Sequence, residues 1–335
     1  MLHFHLTNIK LHLTTIEIMK LNEKTLLIIA LLLFPYFVVS QGCSDAGFCT
    51  MGAMKPSQDF NKNIPIKLRS ITLGLYEGQS NTSAIIRAGL VDFGLTLGRE
   101  YDLQIKVPYM HINGNFGSTS GIGDISLSLT KNLFTNPQYD ILGTLGAKIP
   151  TNKSDLTVPN RGMVLPMYYQ TSLGTYDFIA GASFINREWL ISFGYQQPII
   201  HQNENTFEAT VDSWGWYEGG MDYVREHDEA RHLKRGTDIM MRFERNFRMS
   251  RLSFNVGLLP IYRITKDQAL NDNDEYVKLE GTTGLALSAL FGLNYKFNVL
   301  SGINLIYGQR ITDRDYNPDG LTRKHVINLN YTYNF

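Results

Sequence analysis

Hydrophobic and polar positions alternate with a period of two along most of the chain after residue 65. The clearest case is the last segment, residues 327–335, in which Ile, Leu, Tyr, Tyr and Phe alternate with Asn, Asn, Thr and Asn. A period of two puts one set of side chains on one face of an extended strand and the other set on the opposite face. The pattern therefore predicts strands with one apolar and one polar face, and an all-β fold.

Twelve segments of this kind follow one another, and we predict strands at 66–77, 84–98, 101–112, 122–134, 139–150, 177–186, 189–201, 234–247, 251–264, 283–297, 300–312 and 323–335. Short turns are predicted at 99–100, 135–138, 187–188, 248–250 and 298–299, and longer connections at 78–83, 113–121, 151–176, 202–233, 265–282 and 313–322. An even number of strands joined by alternating short turns and long loops is typical of outer-membrane barrels. We predict a 12-stranded antiparallel, up-and-down transmembrane β-barrel over residues 66–335, with both ends in the periplasm.

A soluble β-sandwich or propeller is the competing fold, because its sheets also have one apolar face. The barrel is favoured by the tyrosines and phenylalanines near strand ends, by the turn lengths and by the terminal phenylalanine. A terminal aromatic after alternating apolar positions resembles the strand that the outer-membrane assembly machinery recognises. We therefore expect Tyr331, Tyr333 and Phe335 to form an assembly signal.

Residues 1–40 are predicted to be an upstream extension followed by a secretory signal peptide. Two lysines precede the apolar run 26–39, which is too short to span a bilayer comfortably, and cleavage is expected before Gln41. Export places Cys43 and Cys49 in an oxidising compartment, which favours a disulfide between them over two free thiols. Acylation of Cys43 is the weaker alternative, because Gln41 stands where a lipoprotein signal needs a small residue.

The composition narrows the choice of partners. The 335 residues include 31 basic and 31 acidic side chains, and 43% are hydrophobic. This balance argues against a nucleic-acid partner bound by a basic face, and the apolar content argues against disorder. The predicted external loops hold more acidic than basic residues, so the rest of the mature chain is net basic. This separation of charge, with acidic external loops and a net basic remainder, favours the passage of anions once they have passed the acidic mouth of the barrel.

The polar faces of the predicted strands supply the candidate lumen residues, since polar side chains are costly against lipid. Those predicted to line the lumen and contact a solute are Asp92, Gln104, Lys106, Asp124, Lys148, Arg242, Glu244, Asn255, Arg263, Asn294 and Asn328. Charges of both signs occur among them. They either create a transverse field that orients a solute or pair across a narrow lumen and fill it.

Two glycine-rich segments carry a family resemblance. Gly121-Ile122-Gly123-Asp124 is predicted to open the fourth strand, and Ser172-Leu173-Gly174-Thr175-Tyr176-Asp177 precedes the sixth. Together they resemble the FadL-like outer-membrane family of meta-pathway phenol-degradation transporters of Gram-negative bacteria. The resemblance implies passive uptake of small, often hydrophobic compounds, and it implies that residues 41–65 fold into the lumen as a plug stiffened by Cys43 and Cys49. A periplasmic tail is the alternative.

The start of the expected mature chain carries a second resemblance. The residues from Gln41 to Cys49 resemble the beginning of mature exported proteins from Bacteroidetes-type bacteria.

The long loop 202–233 carries aromatic residues among acidic ones. We expect Trp214, Trp216 and Tyr217 to contact a ligand at the mouth, the alternative being a loop that folds over the mouth and packs its own aromatics. No metal or other cofactor is expected. His227 and His232 lack the spacing of a zinc motif, and Pro318 interrupts the calcium-like run that begins at Asp313.

We predict an outer-membrane channel or passive transporter for small, hydrophobic or aromatic solutes, acting as a monomer among outer-membrane lipid and lipopolysaccharide. A structural or adhesive barrel without transport is the first alternative. An outer-membrane lipid hydrolase is the second, and we expect no enzyme activity because no serine and histidine fall together on neighbouring strands with an orienting Asn or Asp.

Overall fold

The structure is a computed structural model that describes residues 50–55, 67–98 and 100–335. The predicted signal peptide and the predicted Cys43–Cys49 disulfide lie outside these residues. The strands are β1 Lys67–Gln79, β2 Ile85–Leu97, β3 Tyr101–Gly114, β4 Gly117–Ile122, β5 Ile125–Thr135, β6 Tyr139–Ile149, β7 Thr175–Asn186, β8 Trp189–His201, β9 Asp238–Arg248, β10 Leu252–Arg263, β11 Gln268–Leu270, β12 Tyr276–Lys278, β13 Gly284–Lys296, β14 Ser301–Thr312 and β15 His325–Asn334. The helices are α1 Val211–Trp214 and α2 Met221–Arg225.

The strands form one closed antiparallel sheet, because β1 pairs with β15 and β2 pairs with β3. The first half of β3 pairs with β5 and its second half with β4, so β4 and β5 together occupy one position in the wall. The remaining pair, β11 and β12, lies apart as a small two-stranded sheet. The predicted 12-stranded antiparallel barrel is therefore confirmed.

The connections also follow the predicted alternation, with one error. Short turns join the strands at the end where β1 begins and β15 finishes, and the long loops lie at the opposite end, called here the outer mouth. The loop predicted at 113–121 is wrong: β3 runs to Gly114 and β4 returns at Gly117 after a two-residue turn. The segment Gly-Ser-Thr-Ser-Gly has no apolar alternation, so strand pairing with β3 rather than side-chain pattern holds it extended.

Two smaller differences concern the long loops. The strand predicted from residue 234 begins at Asp238, and residues 234–237 belong to the preceding loop. That loop contains both short helices, and none of the helices in the described ranges has the length and apolarity of a membrane span. The loop between β10 and β13 contains the small β11–β12 sheet.

The outside of the barrel carries the apolar set of each alternating strand. On β8, Trp189, Ile191 and Phe193 are exposed, whereas Leu190 and Ser192 between them are buried. Near the short-turn end, Lys131 lies over the ring of Tyr101 with its nitrogen 5.1 Å from the centroid. Aromatic rings and cationic side chains at this level suit the boundary between lipid and water.

Candidate functional site: the lumen and the outer mouth

Residues 50–55, called here the inner segment, lie inside the barrel. Met51 and Met54 are buried, and they form a cluster with Ile179, Met240 and Leu259 on the inner face of the wall. The segment includes one short 3-10 turn at Gly52–Met54. Its apolar side chains therefore fill part of the lumen against strands β7, β9 and β10.

Glycines in the wall leave the space that the two methionines occupy. A Cβ atom built on Gly146 of β6 would lie 2.5 Å from the sulfur of Met51, and one on Gly181 of β7 would lie 3.0 Å from the sulfur of Met54. Gly52 itself has φ 51°, and a Cβ there would lie 2.5 Å from a side-chain carbon of Thr144. The segment and the wall thus fit each other at the level of single carbon atoms.

Three of the predicted lumen residues hold the inner segment by polar contacts. The backbone N–H of Gly52 donates to Oε1 of Gln104 at 2.7 Å, and Lys55 Nζ lies 3.2 Å from Asp92 Oδ2. Lys106 donates from Nζ to the side-chain hydroxyl of Thr50. The polar faces of β2 and β3 therefore position this segment, a role that the strand pattern alone did not indicate.

The other predicted lumen residues are buried or half-buried inside the barrel. Arg242 and Glu244 form an ion pair at 2.9 Å, and Lys148 lies 3.6 Å from Asp124. The remaining members of the predicted set are Asn255, Arg263, Asn294 and Asn328. The pairing of opposite charges favours the second of the two arrangements, in which charged side chains fill the lumen. Contact of these residues with a solute stays a prediction.

The two glycine-rich segments meet in space. The backbone N–H of Leu173 donates to Oδ2 of Asp124 at 3.2 Å, and the hydroxyl of Thr151 donates to the carbonyl of Gly123 at 2.6 Å. Gly174 has φ 66°, and a Cβ there would lie 2.7 Å from the Cα of Asn203. Both segments therefore fix the loop between β6 and β7 against the rim of the barrel.

A buried ion-pair network lies at the outer mouth. Arg263 on β10 contacts Asp238 at 2.8 Å, Asp267 at 2.7 Å and Asp319 at 2.8 Å. Arg235 contacts Asp238 and Asp177 at 3.2 Å each and Asp319 at 3.5 Å. These carboxylates come from two strands and from two of the long loops. The network therefore ties the loops before β13 and β15 to the inner wall.

Asp319 at the centre of this network was missed in the sequence. Its segment, Asn317–Gly320, forms a tight turn, in which the N–H of Gly320 donates to the carbonyl of Asn317 at 3.1 Å. The turn is buried rather than at an exposed loop tip. Burial alone would raise the pKa of the Asp319 carboxyl, but Arg263, Arg314 and Arg235 outweigh burial and hold that pKa well below its usual range.

The aromatics of the loop between β8 and β9 pack over the mouth. The ring of Phe116 lies 4.5 Å from that of Trp214 and 4.8 Å from that of His227, between ring centroids. Trp214 is almost completely enclosed, whereas Trp216 and Tyr217 are half-buried. This packing matches the alternative in which the loop folds over the mouth and packs its own aromatics. Contact of these aromatics with a ligand stays a prediction.

His227 is neutral at the centre of this aromatic cluster. Its Nδ1 lies 3.1 Å from the carbonyl oxygen of Tyr223, and burial lowers its pKa to about 4. The neighbouring Asp228 accepts from the backbone N–H of Asn317 at 2.8 Å, and burial raises the pKa of Asp228 to about 6. Burial thus disfavours protonation of His227 and favours protonation of Asp228, so the two adjacent residues respond to acid in opposite ways.

Part of the inner wall at the mouth is apolar. These inward residues, called here the apolar arc, are Tyr76, Ile86, Ala88, Leu90, Ile112 and Val326. The residues predicted to line the lumen are all polar, and none of them belongs to the arc. The sequence does indicate this face, because Ile86, Ala88 and Leu90 alternate in step with Asp92 and so lie on the same, inward face of β2. Barrel interiors are usually polar, so an apolar stretch of inner wall is a distinguishing feature.

Comparison with solved structures supports the architecture. The chain is similar to an outer membrane channel from Pseudomonas putida F1, with 12% identity, a TM-score of 0.55, and 83% of this chain and 100% of that chain covered. This likeness establishes the fold, that of a 12-stranded transmembrane β-barrel.

Two further likenesses are more distant. The CymD monoaromatic hydrocarbon channel is 9% identical with a TM-score of 0.40, covering 86% of this chain and 97% of that one. A Pseudomonas aeruginosa FadL homologue is 11% identical with a TM-score of 0.36, covering 81% of this chain and 90% of that one. No family model and no curated protein matches the sequence.

Proposed function

We propose that this chain is an outer-membrane channel for small, neutral, apolar or aromatic solutes. The observation that carries the proposal is the apolar arc on the inner wall. The arc is buried in one cluster with Phe116 and Trp214, and it offers such solutes a non-directional binding surface once the loop that carries Trp214 moves. The similar barrel from Pseudomonas putida is named as an outer membrane channel, which agrees with this function. The proposal includes the outer membrane as the location, insertion as a monomer, and an assembly signal in Tyr331, Tyr333 and Phe335, whose rings are exposed on the outside of the barrel.

We further propose that residues 41–65 act as a plug, with the disulfide between Cys43 and Cys49 stiffening it. Support comes from the inner segment, which packs Met51 and Met54 into spaces left by wall glycines. Methionine has a flexible thioether chain that repacks at low cost, so these contacts can be exchanged for contacts with an apolar solute. The ion pair between Lys55 and Asp92 is partly exposed and adds little resistance.

Charge pairing inside the barrel favours neutral solutes over ions. Arg242 is neutralised by Glu244, and Lys148 lies beside Asp124, so the mid-barrel wall presents little net charge. A solute entering through the outer mouth would first meet the aromatic cluster and then the apolar arc. Opening requires movement of the loop that carries Trp214 and displacement of the inner segment.

Planar-bilayer recording tests the channel function directly. We expect the purified barrel to be closed most of the time, with brief conductance steps when the inner segment leaves the lumen. Absence of steps, together with absence of liposome swelling in any small solute, would refute the channel. Release of fatty acid from phospholipid by the refolded protein would instead support the lipid hydrolase.

A further inference from the structure

A cavity lies at the short-turn end of the barrel, away from the outer mouth. It has a volume of about 150 Å³ and is bounded by the ends of β7, β8, β9, β10 and β13. Drug-sized ligands occupy pockets of roughly 300 Å³ or more, so this cavity admits only a small molecule.

The rim of the cavity is basic. Arg248 ends β9, Arg251 precedes β10 and Lys296 ends β13, and all three side chains line the cavity. Its lining contains no aspartate or glutamate within the described parts of the chain. The amide side chains of Asn246 and Asn294 add hydrogen-bond donors beside the three cations.

Arg248 differs from the other arginines of its strand. Arg242 pairs with Glu244 at 2.9 Å, and Arg245, on the opposite face, pairs with Glu188 at 2.9 Å. In residues 50–55, 67–98 and 100–335, neither Arg248 nor Arg251 has an acidic partner within ion-pair distance. Arg248 and Arg251 are both exposed at the short-turn end, so their guanidinium groups are accessible to a small anion from that side.

One side of the cavity is apolar. Ile185 and Leu190, at the adjoining ends of β7 and β8, are buried and face the basic rim from neighbouring strands. An apolar wall opposite guanidinium groups matches a molecule with an apolar body and one anionic end. Guanidinium groups bind carboxylates through two parallel hydrogen bonds, which gives this pairing its geometry.

We propose that this basic cavity binds a small carboxylate with an apolar or aromatic body, of the size of benzoate. The inference rests on the proposed channel function and deepens it, because it names a second class of solute and a binding site at the exit of the lumen. An apolar carboxylate is held with its ring against Ile185 and Leu190 and its carboxylate between Arg248 and Arg251.

The test is calorimetric titration of benzoate into the full chain in a nonionic detergent free of phospholipid. We expect benzoate to bind, and Arg248→Gln and Arg251→Gln each to weaken binding by about tenfold, the loss typical of one charge-assisted hydrogen-bond partner. The matched control is Arg245→Gln, on the same strand but facing outward, which should bind benzoate like the unmodified chain. Retention of the heat-modifiable gel mobility shows that each variant is folded.

Competitors separate the parts of the site. Benzyl alcohol lacks the charge and acetate lacks the ring, so both should bind at least tenfold more weakly than benzoate. Equal binding of inorganic phosphate and benzoate would overturn the inference by showing a simple anion site, and equal weakening in Arg245→Gln would overturn it by showing unspecific attraction. Conductance steps with no benzoate binding would refute this site while leaving the channel function intact.

Discussion

Asp124 accepts a hydrogen bond from the backbone N–H of Leu173 at 3.2 Å, although 49 residues separate them in the chain. The same carboxylate lies 3.6 Å from Lys148 on the neighbouring strand β6. One side chain thus holds the loop between β6 and β7 and offsets a buried positive charge. This contact joins the two segments that carried the family resemblance in the sequence.

Replacing Asp124 by alanine should lower the free energy of unfolding by about 3 kcal/mol, because Lys148 then stays buried without its carboxylate. Urea denaturation of the refolded barrel in detergent measures the change. The double variant Asp124→Ala/Lys148→Met should recover part of the loss. An unchanged unfolding midpoint in Asp124→Ala would contradict the role assigned to this residue.

Replacing Gly52 by alanine should open the lumen. The added Cβ would lie 2.5 Å from Thr144 and 2.6 Å from Thr130, so the inner segment cannot keep its position. Gly98→Ala is the matched control, because Gly98 has a similar φ of 66° but nothing within 4 Å of an added Cβ. Bilayer recording should show a higher open probability for Gly52→Ala alone. Equal recordings from the two variants would show that the segment does not close the lumen.

Replacing Arg263 by methionine should destabilise the barrel by more than about 3 kcal/mol, since Asp238, Asp267 and Asp319 would lose a buried cation that they share. The nearby pair of Lys266 and Glu280 is largely exposed. Lys266→Met should therefore cost less than about 1 kcal/mol in the same urea titration. Equal costs for the two variants would contradict a structural role for the network.

The stability of the loop between β8 and β9 should depend on pH through two residues whose protonation has opposite effects. His227 has a pKa lowered to about 4, so its contribution to loop stability is lost as pH falls from its ordinary value of 6.5 towards 4. Asp228 has a pKa raised to about 6 from 3.8, so acid stabilises the closed loop over the range from about pH 6 to 3.8. The two effects overlap and largely cancel in the unmodified chain.

Single variants should separate these effects. Between pH 6 and 4, the loop of His227→Phe should become more protected from hydrogen exchange, because Asp228 then titrates without the opposing effect of His227. The loop of Asp228→Asn should become less protected, because His227 then titrates without the opposing effect of Asp228. Exchange rates are compared after correction for the intrinsic effect of pH. The same trend in both variants would contradict the assigned signs.

The sequence predicted the barrel well because the lipid boundary imposes its pattern on every strand. The alternation of Ile327, Leu329 and Tyr331 with asparagines and threonine is visible without any tertiary information. The same pattern did not predict β4, because the segment 117–121 has no apolar residue and is extended only because β3 pairs with it. The position of Asp92 in the alternating pattern likewise indicated which side chains of β2 face inward.

The candidate site was less predictable because it is made by contacts between distant segments. Nothing near Asp319 in the chain indicates that a turn residue reaches Arg263 on β10. The aromatic cluster around His227 similarly draws Phe116 from a turn that was predicted to lie within a long loop. Such contacts depend on how the loops fold over the mouth, which the period-two pattern does not encode.

Uptake into cells measures whether the barrel passes small apolar solutes. The chain is expressed in porin-deficient cells that have an intact lipopolysaccharide barrier, and radiolabelled toluene is added. The initial rate of toluene uptake is compared with the rate in the same cells carrying an empty vector. We predict faster uptake with the chain and slower uptake with Leu90→Asn, which places an amide on the apolar arc. Uptake equal to that with the empty vector, with the barrel folded in the outer membrane, would show that the chain is not a channel for such solutes.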